Sequence, residues 1–239
     1  MPQRILFKSF NVLVFSLLLV YLFPFVLTLM KRDDFEFNIL KQINNKVTSE
    51  SITDLEKANT LFQFTCKTFK SPSKKSISKT KNGYSLLMTD SLWCDEQCNI
   101  LTTLAEYSGI KGRIIFLKGN QYISKHSVCE LYINNKYCMY DPFYQLKSTK
   151  SVNELNVKNT FKNTIYKKLY ERKFPHKFGK IKQTIYFKKE HVIHSIFSFW
   201  FDIFGDFAFK PYLKVAYRTN QISKKEQIKI NRLFFQSVF

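Results

Sequence analysis

Apolar and polar residues alternate along this chain in three different ways. From Phe10 to Met30 the run FNVLVFSLLLVYLFPFVLTLM holds no charged residue, and Lys31 and Arg32 close it. A helix needs about 20 apolar residues to cross a bilayer, and a membrane helix absorbs a local break such as Pro24. A cleaved signal peptide would have a shorter apolar stretch followed by a small-x-small site, and MKRDDF offers none. The run therefore reads as an uncleaved transmembrane anchor, residues 10–30, behind a short tail, residues 1–9. Residues 31–47 read as a polar linker, 48–190 as a globular domain, and 191–239 as an amphipathic helix and tail.

Inside the domain the period changes to that of a surface helix. SITDLEKANTLFQFTCKTF places Ile52, Leu55, Ala58, Phe62, Cys66 and Phe69 on one helical face, with Thr53 and Glu56 as a capping box. A basic Ser/Lys loop, 70–83, follows without periodicity. The next helix opens at Cys94 and stops at Gly109, with Cys94, Cys98, Leu101 and Ala105 in one stripe facing the core.

GRIIFL, 112–117, is a short strand. HSVCELYI and KYCMYD then flank Asn134 and Asn135, which suit a two-residue hairpin turn because Asn tolerates positive φ. That turn pairs Ile133 with Lys136, Tyr132 with Tyr137, and so on back to Val128 with Asp141. One face of the hairpin then carries His126, Val128, Glu130 and Tyr132 with Tyr137, Met139 and Asp141. His126 and Asp141 become diagonal neighbours, about 7–8 Å apart at the backbone. Cys129 and Cys138 fall on the other face.

Beyond residue 145 the chain is basic, and QTIYF, 183–187, reads as a further strand. In HVIHSIFSFWFDIFGDFAFKPYL, an apolar stripe of Ile193, Ile196, Phe197, Trp200, Phe204 and Phe207 opposes His194, Ser198, Asp202 and Asp206. The two aspartates argue against a second membrane span; the segment reads as a helix packed on the domain, with an interfacial helix lying on the bilayer as the alternative. The final LFFQSVF reads as a strand or a docking tail.

Composition adds a sign. Lys and Arg total 38 against 18 Asp and Glu, a net charge of +20. Such a field favours anionic partners, here a phospholipid surface or an acidic polymer touching the basic surface. No motif with interleaved aromatics supports nucleic-acid binding. Positive charges near the two ends of the anchor nearly tie: Arg4, Lys8 and the N-terminal amine against Lys31, Arg32, Lys41 and Lys46. The short N-terminal tail favours an extracytoplasmic domain.

Five cysteines make an odd count, so at least one lies outside any intramolecular disulfide. Cys66, Cys94, Cys98, Cys129 and Cys138 include no CxxC pair and no zinc-site spacing, and His191 with His194 lacks a third ligand. Neither metal nor cofactor is expected.

Candidate chemistry sits in the Cys94 helix and the hairpin. Free N–H groups and the macrodipole at a helix N-terminus favour a thiolate, which singles out Cys94 over Cys98 one turn deeper; Asp95 and Glu96 act against it. A thiol nucleophile needs a base within reach and a third group to orient that base.

Cys94, then Gly109-Ile110-Lys111-Gly112-Arg113, His126-Ser127-Val128-Cys129-Glu130-Leu131-Tyr132 and Asp141-Pro142-Phe143, resembles the transglutaminase-like superfamily. That family's pattern runs G-x-C…GIPAR…HAWxEVY…DPT on a papain-like core. The resemblance covers residues from about 50 to 145. It implies an α+β fold with the cysteine at the N-terminus of a central helix packed on an antiparallel sheet. It also implies a Cys94 nucleophile, a His126 general base and an Asp141 orienter, acting on a protein or peptide through a thioester. Leu92 stands where the family has glycine, Lys111 where it has proline, and Val128 where it has tryptophan. These departures motivate the competing expectation of an inactive, membrane-tethered binding module.

Overall fold

A computed structural model of the chain describes residues 32–72, 83–118, 124–155, 179–181, 213–214, 216–218 and 222–235. The anchor run at 10–30, the QTIYF stretch, most of the basic loop and the amphipathic segment from 191 lie outside these residues. Among the described residues no helix is long and apolar enough to cross a membrane.

The elements in chain order are helices α1 (Arg32–Val47), α2 (Asp54–Thr68), α3 (Gly83–Leu87) and α4 (Cys94–Tyr107), then strands β1 (Gly112–Lys118), β2 (Ser124–Ile133), β3 (Lys136–Asp141), β4 (Leu146–Ser148) and β5 (Gly179–Ile181), and finally α5 (Lys224–Phe235). The chain divides into two compact units: Met1–Asn38 with Lys188–Asn231, and Ile39–Phe187 with Arg232–Phe239. In the first, Ile222 N–H donates to Ala216 O and the Gln227 amide to Leu213 O. The second carries the sheet, ordered β4-β3-β2-β1-β5 with every pair antiparallel. The fold is α+β.

Two loops set the geometry of this core. Asn134 and Asn135 have φ of 50° and 64°, the backbone of a type I′ turn, whose twist matches the strands it joins. Ile133 faces Lys136, Tyr132 faces Tyr137, and the ladder runs back to Cys129 opposite Tyr140. The register is the one the Asn pair implies.

At the end of α4, Gly109 takes φ 79°, Ile110 N–H donates to Ala105 O and Gly109 N–H to Glu106 O. These two bonds form a Schellman stop. Three residues on, β1 approaches α4 so closely that a Cβ on Gly112 would lie 2.8 Å from the Thr102 methyl. Glycine at this position lets helix and sheet touch.

Cys98, Leu101, Leu104 and Ala105 of α4 are fully buried, as are Ala58, Leu61 and Phe62 of α2 and Cys129 and Leu131 of β2. The Phe62 ring lies 5.4 Å from that of Tyr140. Truncating a buried Leu such as Leu101 to Ala costs about 2–5 kcal/mol.

Three sequence expectations are corrected. The stretch 31–47 is not a polar connector: 32–47 is helical, with Phe35, Ile39, Ile43 and Val47 buried at four-residue spacing. On α2 the capping box forms as expected, with Glu56 N–H donating to Thr53 Oγ1 and Thr53 N–H to Glu56 Oε2. Ile52 and Leu55 do not join its core face; Ile52 precedes the cap and is 87% exposed, and Leu61 and Thr65 take their place. The apolar Leu233-Phe234-Phe235 is neither strand nor tail but the last turn of α5. That helix starts with Ser223 N–H donating to Glu226 and Glu226 N–H to Ser223 Oγ.

Candidate active site

Cys94 is the first residue of α4, and its neighbours fix where that helix begins. Lys70 N–H donates to Asp90 O and Leu92 N–H to Lys70 O, tying the approach to the helix in place. Trp93 at the cap is extended, with φ −71° and ψ 169°. Having no cap oxygen of its own, it instead donates its N–H to the Glu96 carboxylate, 3.0 Å away. Gln97 clamps the same turn, its N–H on Trp93 O at 2.8 Å and its side-chain amide on Leu92 O at 2.9 Å. The first N–H groups of a helix have no acceptor within it, so Cys94 stands at the positive end of the dipole.

His126 and Asp141 come from the neighbouring hairpin. Nε2 of His126 lies 2.7 Å from Oδ2 of Asp141, and both side chains are at most 2% exposed. Pairing between β1 and β2 slips beside His126: Leu117 faces His126, but Lys118 faces Ser124, which leaves Lys125 as an extra residue. A bulge of this kind bends its strand and re-aims the adjacent side chain. The half-buried Cys94 lies near enough to the same ring to act on it electrostatically. The three residues singled out from the sequence are thus brought together.

The turn after β3 holds Asp141 from behind. Tyr144 N–H donates to Asp141 Oδ1 at 3.2 Å, Gln145 N–H donates to Pro142 O, and Gln145 takes φ 57°. Cys66 of α2 donates its thiol to the same Pro142 carbonyl at 3.5 Å. Both carboxylate oxygens of Asp141 are therefore engaged, and the imidazole it holds has little freedom to rotate.

Sequence reasoning missed the rings that this turn delivers. Tyr144 lies 4.8 Å from the imidazole, Phe143 6.0 Å from it in an edge contact, and Trp93 stacks near-parallel on Phe143 at 6.4 Å. Only the Asp-Pro pair before them signals a tight turn, and nothing local says that its next two residues fold back onto a histidine.

Burial alone would discharge His126, but the hydrogen bonds and charges of Asp141 and Cys94 outweigh it and push the ring up to about 9. The ring is then an imidazolium at neutral pH, the partner a thiolate needs.

The other cysteines sit differently. Cys98 is fully buried, donates to Ser127 O, and burial first and then Cys129 beside it hold its thiol well above the usual range. Burial pushes Cys66 up to about 12 and also raises Cys138. Cys129 donates to Tyr140 O, and Cys138 to Thr149 O.

Among the described residues no cluster of His, Cys, Asp and Glu could hold a metal ion. No family model, no curated protein and no solved structure matches this chain.

Proposed function

We propose that the chain is a membrane-anchored thiol enzyme of the transglutaminase-like, papain-like type, with Cys94 as nucleophile. One observation carries this reading: a single imidazole is hydrogen-bonded to a buried carboxylate and interacts with a cysteine at a helix N-terminus. Cys94 Sγ attacks an amide or ester carbonyl, and the tetrahedral oxyanion gathers at the helix N-terminus beside it. As the carbon–heteroatom bond breaks, His126 gives its proton to the departing amine or alcohol, leaving a thioester on Cys94. The neutral ring then takes a proton from water or an amine, which attacks the thioester, restores the thiolate and releases acid or new amide. Asp141 stabilises the imidazolium and holds its tautomer, while Phe143 and Tyr144 cover the ring and exclude water from it.

The run at 10–30 anchors the domain, with the catalytic side outside the cytoplasm. The sequence supports the anchor through the length of the run and its lack of charge.

The test is to incubate the purified chain with an activated ester and weigh it intact. An acyl adduct that maps to Cys94, decays with time and is absent from Cys94→Ala is the expected result. No adduct with any ester tried would leave the inactive binding module as the better account. Impermeant and permeant thiol probes on intact cells report the side of the membrane: labelling of Cys94 by both places it outside, and labelling by the permeant probe alone contradicts that placement.

A further inference from the structure

The three rings around the proposed nucleophile have no role in the proton transfers, and their arrangement bears on what the site accepts. We propose that Trp93 and Phe143 form an acyl-side subsite for an aromatic or large apolar side chain next to the carbonyl under attack. The inference rests on Cys94 being the nucleophile.

Trp93 directly precedes Cys94, and its ring stacks on Phe143, which in turn meets the His126 imidazole. Its plane lies within 15° of that of Phe143, 6.4 Å between centroids, and the array continues through Tyr144, 5.1 Å from Phe143. These rings are only partly buried, although they are held by packing and by the Glu96 and Asp141 hydrogen bonds at their backbones. Rigid, part-exposed aromatic faces gain most from a further apolar or flat group that covers them. An acidic side chain would shed its hydration against these apolar faces, with Asp95 in the same helical turn as the thiol and the His126 ring already engaged by Asp141. An aromatic one buries surface on both partners.

The experiment compares three chloromethyl ketones, N-acyl-phenylalanyl, N-acyl-glycyl and N-acyl-aspartyl, on the full chain in detergent micelles. Cys94 Sγ forms a bond to the methylene carbon and chloride leaves, so inactivation rates report binding beside the thiol. Iodoacetamide, which has no side chain to seat, serves as the reference. The phenylalanyl reagent is expected to react at least about tenfold faster than the glycyl one, and the aspartyl reagent slowest. The phenylalanyl-to-glycyl ratio should collapse toward one in Phe143→Ala and in Trp93→Ala, and persist in Phe143→Tyr. Each ratio is taken within one protein, so any change in the thiol's own reactivity cancels. Fast iodoacetamide labelling of Cys94 with equal rates for the three ketones overturns the subsite and leaves the thiol chemistry standing. Iodoacetamide labelling no faster than a model thiol overturns the nucleophile, and the subsite with it.

Discussion

His126 and Glu130 lie four residues apart on β2, and each holds an oppositely charged or chargeable partner from an adjacent strand. Glu130 takes Arg113 of β1, with Oε2 accepting from Nε at 2.6 Å and lying 2.5 Å from a terminal guanidinium nitrogen. Its Oε1 accepts from Val152 N–H at 2.6 Å, and the guanidinium covers the Tyr137 ring at 3.7 Å. His126 takes Asp141 of β3 and also interacts with Cys94. Both pairs are hydrogen-bonded, and both satisfy a buried carboxylate. Arginine keeps its proton at any accessible pH, so the first pair can only fasten β1, β2 and the segment after β4. Histidine exchanges its proton near neutrality, and the second pair ends on a thiol. The difference separates a clamp from the proposed catalytic device.

The largest expected effect breaks the device outright. Cys94→Ala should lower acyl-adduct formation by about 10⁴-fold or more without moving the unfolding midpoint much, because a half-buried thiol contributes little packing. Asp141→Asn keeps the shape and a hydrogen bond but removes the charge and permits the wrong tautomer. It should slow acylation about 10²–10⁴-fold. A loss under threefold would remove Asp141 from the orienting role.

Glu130→Ala should act on the other side of the comparison. It strands Arg113 and the Val152 N–H and should cost about 3–5 kcal/mol in denaturant unfolding. At temperatures where the variant stays folded, the pH dependence of Cys94 labelling should match that of the parent. If Glu130→Ala shifts that profile as Asp141→Asn does, the clamp and the device are one network and the separation fails.

The smallest effect is a pH dependence of stability. The His126 proton is bound more tightly in the fold, about 9 against 6.5 for the model group. A raised pKa stabilises fully below the unfolded value, and that contribution fades as pH climbs through the folded value. The stability gap between the parent and His126→Gln should therefore be largest near pH 6 and shrink by on the order of 2 kcal/mol by pH 9.5. A gap that widens over this range contradicts the sign.

Local features explain what was legible beforehand. Asn134 and Asn135 fix a two-residue turn, and the register they imply holds back to Cys129 opposite Tyr140, short of the expected Val128–Asp141 pair; His126 and Asp141 meet beyond the ladder. The start of α4 at Cys94 and its end at Gly109 follow from capping chemistry and the apolar stripe. What escaped depends on contacts far apart in sequence. Phe143 and Tyr144 reach the imidazole through a turn whose path is set partly by Cys66, 76 residues earlier. Residues 32–47 read as a connector because Asn and Gln dilute apolar positions spaced by four, and Asn38, Gln42 and Asn44 are in fact themselves buried. Ile52 looked like core by period alone, but it precedes the helix whose period it seemed to share.

The central claim is that His126 activates Cys94, and the alkylation rate of Cys94 tests it most directly. Iodoacetamide labelling at pH 7, mapped to Cys94 by mass spectrometry, should run at least about tenfold faster than a model thiol. It should drop to the model rate in His126→Ala. A parent rate equal to the model thiol, or one that His126→Ala leaves unchanged, would contradict the account.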